Sequence, residues 1–419
     1  MASTVTRAVP VLSASAGVPS ATGAAAGPRR RRFYRTAVAC GLGVIALAAG
    51  LTWGWRHGLG LAKAAPTGWS IVLPQAREFS QAANFAGRYL SGETLFLPPS
   101  AEFTIAPDPA CVAGVFTAVR TDWASHGGRL SAVAQAGLQR GRAPWRSGVY
   151  RLEWRDEHRD TAAFLNVLVL VKADVKSFRD GTAVSVRGRN LGEYPEAGKS
   201  GVERVARQAA RYQAPEFFVV LDQRTLDLPI VEGLALGQLV AFIDKRGPDG
   251  RKIYTTERHT DVLPPSRPLC EKLRLLRRRL RAQGSAVTRF WITSGFRTPD
   301  YNRLIGGASF SRHCYGDAVD LVIDEDEDRR MDDLNDDGRM DRNDGLVIGR
   351  ALEKLEAEGL VVPGGIGIYE WDAEDSVRCH VHFDCRGSRA RWGQIARGKQ
   401  RLAFEWWSKR LPAETAPPE

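Results

Sequence analysis

No two cysteines of this sequence stand in a C-x-x-C pair, which argues against a zinc cluster built on thiolates. No internal repeat recurs, so a solenoid or propeller is not expected. Acid is missing from the first 35 residues, which carry six arginines (Arg7, Arg29, Arg30, Arg31, Arg32 and Arg35). Of the net charge of +11, those arginines leave +5 for everything after them. The positive balance is local, and no nucleic-acid partner is expected.

Charge is missing again from TAVACGLGVIALAAGLTWGW, residues 36–55, a run of about 20 residues that is long enough to cross a bilayer. The block RRRRFYR before it marks the cytoplasmic side, and Trp53 and Trp55 suit the far interface. Residues 1–28, rich in Ala, Ser, Gly and Thr, read as a disordered cytoplasmic tail, and 29–56 as a membrane anchor or export signal. Three readings stay open: a retained signal-anchor, a signal cleaved at Ala62-Lys63-Ala64, and a twin-arginine signal on Arg30-Arg31-Arg32-Phe33. Each places residues 66 onward outside the cytoplasm, in the cell envelope on the periplasmic or extracellular face. The chain is then either anchored in the inner membrane by the N-terminal helix or cleaved and secreted. Outside the cytoplasm disulfides are expected. With Cys40 in the apolar run, Cys111, Cys270, Cys314, Cys379 and Cys385 remain, an odd set whose pairing the sequence does not define.

What is present is a globular composition, 43% hydrophobic and 26% charged over 419 residues, enough for one large domain or two to three ordinary ones. Residues 66–92 and 111–140 read as helical. From 148 the texture changes to strands: GVYRLEW, FLNVLVLVKA, TAVSVRG, PEFFVVLD and LGQLVAFID. Residues 66–255 are thus expected to form a β-rich α+β accessory domain whose role the sequence does not reveal. KRGPDGRKIYTT reads as a hairpin with a Pro-Asp-Gly turn. PSRPLCEKLRLLRRRLRAQG reads as a helix with Leu269, Leu273, Leu276 and Leu280 on one stripe, ended by Gly284. Its other face is basic, which predicts a solvated surface or a contact with an anionic glycan.

Chemistry concentrates in residues 256–405, which hold His259, His313, His380 and His382, four of the seven histidines. In CHVHFDCRG, read as a strand, period two puts His380, His382 and Asp384 on one face and Val381, Phe383 and Cys385 on the other. Two imidazoles and a carboxylate on one face form the donor set of zinc. In FSRHCYGDAVDLVID, Asp320 interrupts an apolar strand, and a buried carboxylate needs a partner. His313, on a loop bent by Gly316, and His382 on a neighbouring strand supply one if all three hold a single ion. Three protein ligands leave a fourth position for water, the arrangement of a catalytic zinc.

These motifs occur in order: SGFRTPDYN (294–302), Ser311-x-His313-x-x-Gly316-x-Ala318-x-Asp320, GGIGIYE (364–370) and His380-x-His382. Together they resemble the zinc D-Ala-D-Ala carboxypeptidases and related peptidoglycan peptidases, which share a fold with lysostaphin-type enzymes and the hedgehog signalling domain. The resemblance covers about 150 residues near the C-terminus, and several separated motifs carry it. It implies zinc on His313, Asp320 and His382. It implies that His380 acts as general base or stabilises the tetrahedral intermediate, against the plain reading of a group that orients a ligand. It implies too that Arg297 holds the substrate's terminal carboxylate or carbonyl oxygen, against the plain reading of a turn residue. Ser311 and Asp384 fall beside the ligands. Peptidoglycan peptides would be the substrate. The alternative is a cell-wall binding module that keeps zinc without hydrolysis.

Residues 324–344 hold eleven acids against four arginines. Within them Asp333, Asn335, Asp337, Arg339 (through its carbonyl), Asp341 and Asp344 take positions 1, 3, 5, 7, 9 and 12 of an EF-hand-like loop, with Gly338 at position 6. This predicts structural calcium in an insertion over 324–345, against the plain reading of a solvated acidic loop. The departure from the pattern is Asp344, where an EF-hand has Glu. The fold class expected is α+β. Residues 256–405 would form a hedgehog/DD-peptidase-like zinc domain, an antiparallel sheet with flanking helices. The accessory domain and one transmembrane helix precede it, and a flexible tail, 406–419, follows.

Overall fold

The computed structural model describes residues 68–74, 81, 85–107, 115–120, 132–135, 138–155, 161–199, 201, 203–246, 252–285, 287–370, 379–397 and 400–403. The N-terminal tail, the apolar run at 29–56, Cys40, Cys111 and the C-terminal tail lie outside these residues. Among the described residues no helix is long and apolar enough to cross a membrane. All of them belong to one compact unit, Ala64–Glu419.

The N-terminal part of this unit is built from strands, including the stretches expected to be helical. Gly68–Val72 and Gly87–Leu90 pair antiparallel in a five-stranded sheet with Glu102–Pro107, Leu138–Arg142 and Ala132–Gln135. Val115–Arg120 is an outer strand of a four-stranded sheet with Gly148–Arg155, Thr161–Val169 and Thr94–Leu97. The helical reading is therefore corrected for the described residues of 66–92 and 111–140; 75–80, 82–84 and 121–131 lie outside them. Trp69 and Ile71 are buried while Ser70 and Val72 are exposed, the period of a strand. Gly87 and Gly92 take positive φ, which a helix does not accommodate. The strands expected from 148 onward form, except that LGQLVAFID divides into a 3-10 turn, Leu236–Leu239, and a strand beginning at Phe242. That strand, Phe242–Arg246, pairs antiparallel with Lys252–Arg258 as the hairpin reading requires.

A six-stranded sheet carries the histidines. Its strands are β1 (Phe290–Ser294), β2 (Ala318–Ile323), β3 (Gly365–Glu370), β4 (Cys379–Asp384), β5 (Ala390–Arg397) and β6 (Gln400–Ala403), in the order β1-β2-β4-β3-β5-β6. The pairing is antiparallel except between β3 and β5, which run parallel, so the expected all-antiparallel sheet is mixed. On one face Val319, Leu321, Val381, Phe383, Ile366 and Ile368 are fully buried. The opposite face carries Asp320, His382, Asp384 and the glycines 365 and 367.

Three helices accompany this sheet: α1 (Arg267–Ala282), α2 (Pro299–Leu304) and α3 (Arg342–Ala357). In α1 the Ser266 hydroxyl accepts from Leu269 N, and Leu269, Leu273, Leu276 and Leu280 are buried. The basic face is only partly solvated: Arg278 and Arg281 are exposed, but the charges nearer the start of the helix are buried. Arg267 and Lys272 are 1% and 0% exposed, and Arg274 and Arg277 are also buried. Glu93, from the N-terminal sheets, receives Arg267 at 2.9 Å and Arg274 at 3.2 Å, and Glu356 of α3 receives Lys272 at 3.1 Å. Where the helix is covered, the charges of Arg267, Lys272 and Arg274 are matched by buried acids instead of water. Cys270, Cys314, Cys379 and Cys385 are all free and buried, which corrects the expectation of disulfides among the described cysteines. Burial pushes the thiols of Cys270, Cys314 and Cys385 up to about 12, so they pack as inert apolar groups.

Candidate metal centre

Sheet register assembles the site. Ser294, Asp320, His382, Gly367 and Trp392 lie in one row across β1, β2, β4, β3 and β5, each paired with the next. His313 comes from a 3-10 turn, Arg312–Tyr315, which closes on Gly316 at φ 74°. A Cβ at Gly316 would stand 2.0 Å from the Pro264 carbonyl oxygen, so the turn requires glycine. The accessory strands brace this turn, because Tyr194 Oη donates to the Cys314 carbonyl at 2.9 Å.

His313, Asp320 and His382 converge as expected. His313 Nε2 lies 3.2 Å from Asp320 Oδ1 and 3.1 Å from His382 Nδ1, and His382 Nδ1 lies 2.8 Å from the same Asp320 oxygen. All three residues are buried. The outer ring nitrogens define the tautomers. His313 Nδ1 faces the Gly295 carbonyl at 2.7 Å and must donate to it, which leaves Nε2 with a bare lone pair. His382 Nε2 faces Asp384 Oδ2 at 3.4 Å, which leaves Nδ1 free as the inward donor atom. With both rings neutral in these tautomers, two lone pairs and an anionic oxygen meet at one point and repel unless a metal ion or a proton on His382 lies between them. Tetrahedral zinc with bonds near 2.0–2.1 Å separates its ligand atoms by about 3.3 Å, close to the spacings found here. The residues fit zinc.

Electrostatics agree at His313 and Asp320; at His382 burial is outweighed by the Asp320 and Asp384 carboxylates, which raise its pKa, so a metal there displaces a proton from the ring. Burial, with help from Arg297, holds the His313 pKa below its ordinary value, keeping the ring neutral as a ligand must be. Burial works against the Asp320 carboxylate, but His313, His382 and Arg297 outweigh it and hold the pKa well below the usual range.

Arg297 stands beside the cluster, donating from Nη2 to Asp320 Oδ2 at 2.8 Å and from Nε to Ser294 Oγ at 2.9 Å. His380 lies on the same face of β4, its ring stacked on Tyr369 at 4.8 Å and 9°. Ser311 precedes the His313 turn without capping it through its side chain. Asp384 has no exposed surface; its Oδ1 accepts from Gly365 N and Arg386 N, and Arg386 Nε reaches both of its oxygens.

Sequence reasoning missed Trp392, Tyr369 and the role of His259. Trp392 lies over the strand where Gly367 has no side chain; a Cβ there would be 2.3 Å from its indole nitrogen. That nitrogen donates to Tyr369 Oη at 2.6 Å, and the indole sits 5.2 Å from the His382 ring. The signal available was the period-two glycine pair in GGIGIYE, which marks close approach to a strand. His259 is no ligand. Its Nδ1 donates to the Ala241 carbonyl, and its Nε2 accepts from Thr298 N, next to Arg297. Desolvation lowers its pKa to about 4.

The calcium expectation finds no support in the 333–344 loop. Asp333 accepts through both oxygens from Asp337 N and Gly338 N, and Asp344 does so from Leu334 N and Asp341 N. Asp341 and Asp344 form the capping box of α3. Asn335 Oδ1 and Asp337 Oδ1 accept from Asp337 N and Arg339 N. The backbone takes up these side chains, and among the described residues no three carboxylates of this loop gather around one point.

Residues 244–350 match the family model of peptidase M15, a zinc D-Ala-D-Ala carboxypeptidase-type family, and this segment is similar to that family. The match contains Arg297, His313 and Asp320 and stops before β4, which brings His380 and His382. No curated protein and no solved structure matches the chain. The matched family supports a metallopeptidase in general.

Proposed function

We propose that this chain is a zinc peptidase that hydrolyses stem peptides or cross-links of peptidoglycan, as a D-Ala-D-Ala carboxypeptidase or an endopeptidase. The observation that carries this reading is the convergence of His313 Nε2, Asp320 Oδ1 and His382 Nδ1 at 2.8–3.2 Å.

Zinc held there supplies Lewis acidity, which polarises a carbonyl and acidifies water. The protein does the rest. The Gly295 carbonyl and Asp384 lock the two imidazoles in orientation. Ser294 and Asp320 hold the Arg297 guanidinium beside the cluster, and its remaining N–H groups suit an anionic peptide terminus. His380, oriented by its stack on Tyr369, is the group to take a proton from the attacking water and pass it to the leaving amine. Trp392 and Tyr369 form an aromatic wall against which a peptide can lie. Export by the apolar run at 36–55 belongs to the same proposal, since the substrate lies outside the cytoplasm.

The test is incubation of the zinc-loaded chain with muropeptides, with and without chelator, and product identification by mass. New products should appear with zinc, vanish with chelator, and fall at least about a hundredfold in His380→Ala. Unchanged muropeptides from a zinc-bound wild type would assign the chain to a binding module instead.

A further inference from the structure

The acid-rich stretch after β2 gathers a group of carboxylates that the EF-hand-like spacing did not single out. We propose that Asp324, Asp326 and Asp332 hold a hard divalent cation of the calcium class, at a site separate from the zinc centre and from the 333–344 loop. Asp324 directly follows β2, the strand that carries Asp320. Buried Met331 and a hydrogen bond from Asp332 N to the Ile323 carbonyl at 3.0 Å fold the loop back onto the end of that strand. Each carboxylate gives one oxygen to a backbone amide. Asp324 Oδ2 accepts from Arg329 N at 3.1 Å, Asp326 Oδ1 from Asp328 N at 3.2 Å, and Asp332 Oδ2 from Glu325 N at 2.9 Å. One carboxylate oxygen of each residue lies within 4.8 Å of those of the other two.

The independent observation is Asp324 itself. It is only 6% exposed, and its Oδ1 is buried with no hydrogen-bond partner. A buried anionic oxygen without a donor is costly and calls for a counter-charge. Neighbouring side chains do not provide one. Arg289 pairs with Glu327, the Arg329 guanidinium lies 5.9 Å from the Trp291 ring, and Glu325 accepts from Thr288 N and Arg289 N. Among the described residues no ion pair reaches the three aspartates. With no imidazole or thiolate in the set, the donors suit a hard cation and not zinc. A cation there would pin the segment continuing the Asp320 strand.

The experiment is calcium titration of the purified full chain, pre-incubated with zinc so that any zinc site is filled, followed by calorimetry. Wild type should take up Ca²⁺. Asp324→Asn and Asp326→Asn should each weaken uptake about tenfold or more, and Asp333→Asn should leave it unchanged. Asp326 is exposed, so its variant keeps the fold and reads the site directly. Absence of uptake at millimolar calcium would overturn the proposal. So would uptake that survives Asp324→Asn and Asp326→Asn, or uptake that Asp333→Asn abolishes. None of these results depends on whether the zinc centre hydrolyses peptides.

Discussion

His382 can serve as a ligand only if its ring does not turn, and Asp384 is what stops it. Arg386 and Gly365 N hold that carboxylate rigidly behind the ring. Asp384→Asn should therefore weaken zinc binding by about 10–100-fold in competition with a chromogenic chelator; equal affinity would contradict the assignment. His259 makes a second prediction. Its pKa of about 4 in the folded chain lies below the ordinary 6.5, so the unfolded chain takes up the proton first as pH falls. The full contribution to stability is present above about pH 6.5 and is lost as pH falls through 4. The slope is about 1.4 kcal/mol per pH unit in that window. Denaturant unfolding of His259→Gln against wild type across this range should show the slope reduced by one proton. His313, Asp320 and His382 were legible in the sequence because a carboxylate and paired histidines on apolar strands have no other economical explanation. Tyr369 and Trp392 were not, because their approach depends on which strands become neighbours.

At the scale of elements, α1 shows how far a pattern reaches. Its leucine stripe and its end at Gly284 follow from the sequence, since both are local properties of a helix. The fate of its basic face does not, because another part of the chain supplies Glu93. Glu93→Ala removes the more deeply buried of the two acids, Glu93 and Glu271, that Arg267 and Arg274 share, and should cost about 3 kcal/mol in urea unfolding. A loss within the range of an exposed ion pair would show that the charges reach water. The strands within residues 66–92 and 111–140 were misread for a related reason. Short runs of mixed polarity fit both periods, and ladder partners far along the chain decide between them. The acidic loop was legible as a place of crowded charge, but which carboxylates converge depends on how the loop folds back on β2.

For the whole molecule, a sheet with one apolar face and one chemical face accounts for the site. The apolar face is covered by the core, and the other carries a row from Ser294 to Trp392 with the ligands at its centre. The accessory strands belong to the same compact unit and reach the site through Tyr194 and the His313 turn. The most direct measurement is zinc-edge X-ray absorption on the purified chain, compared with His382→Ala. The account predicts one zinc with imidazole nitrogen and carboxylate oxygen neighbours at about 2.0–2.2 Å and no sulfur, with the signal lost or reordered in the variant. A chain that takes up no zinc, or binds it identically without His382, would contradict the account.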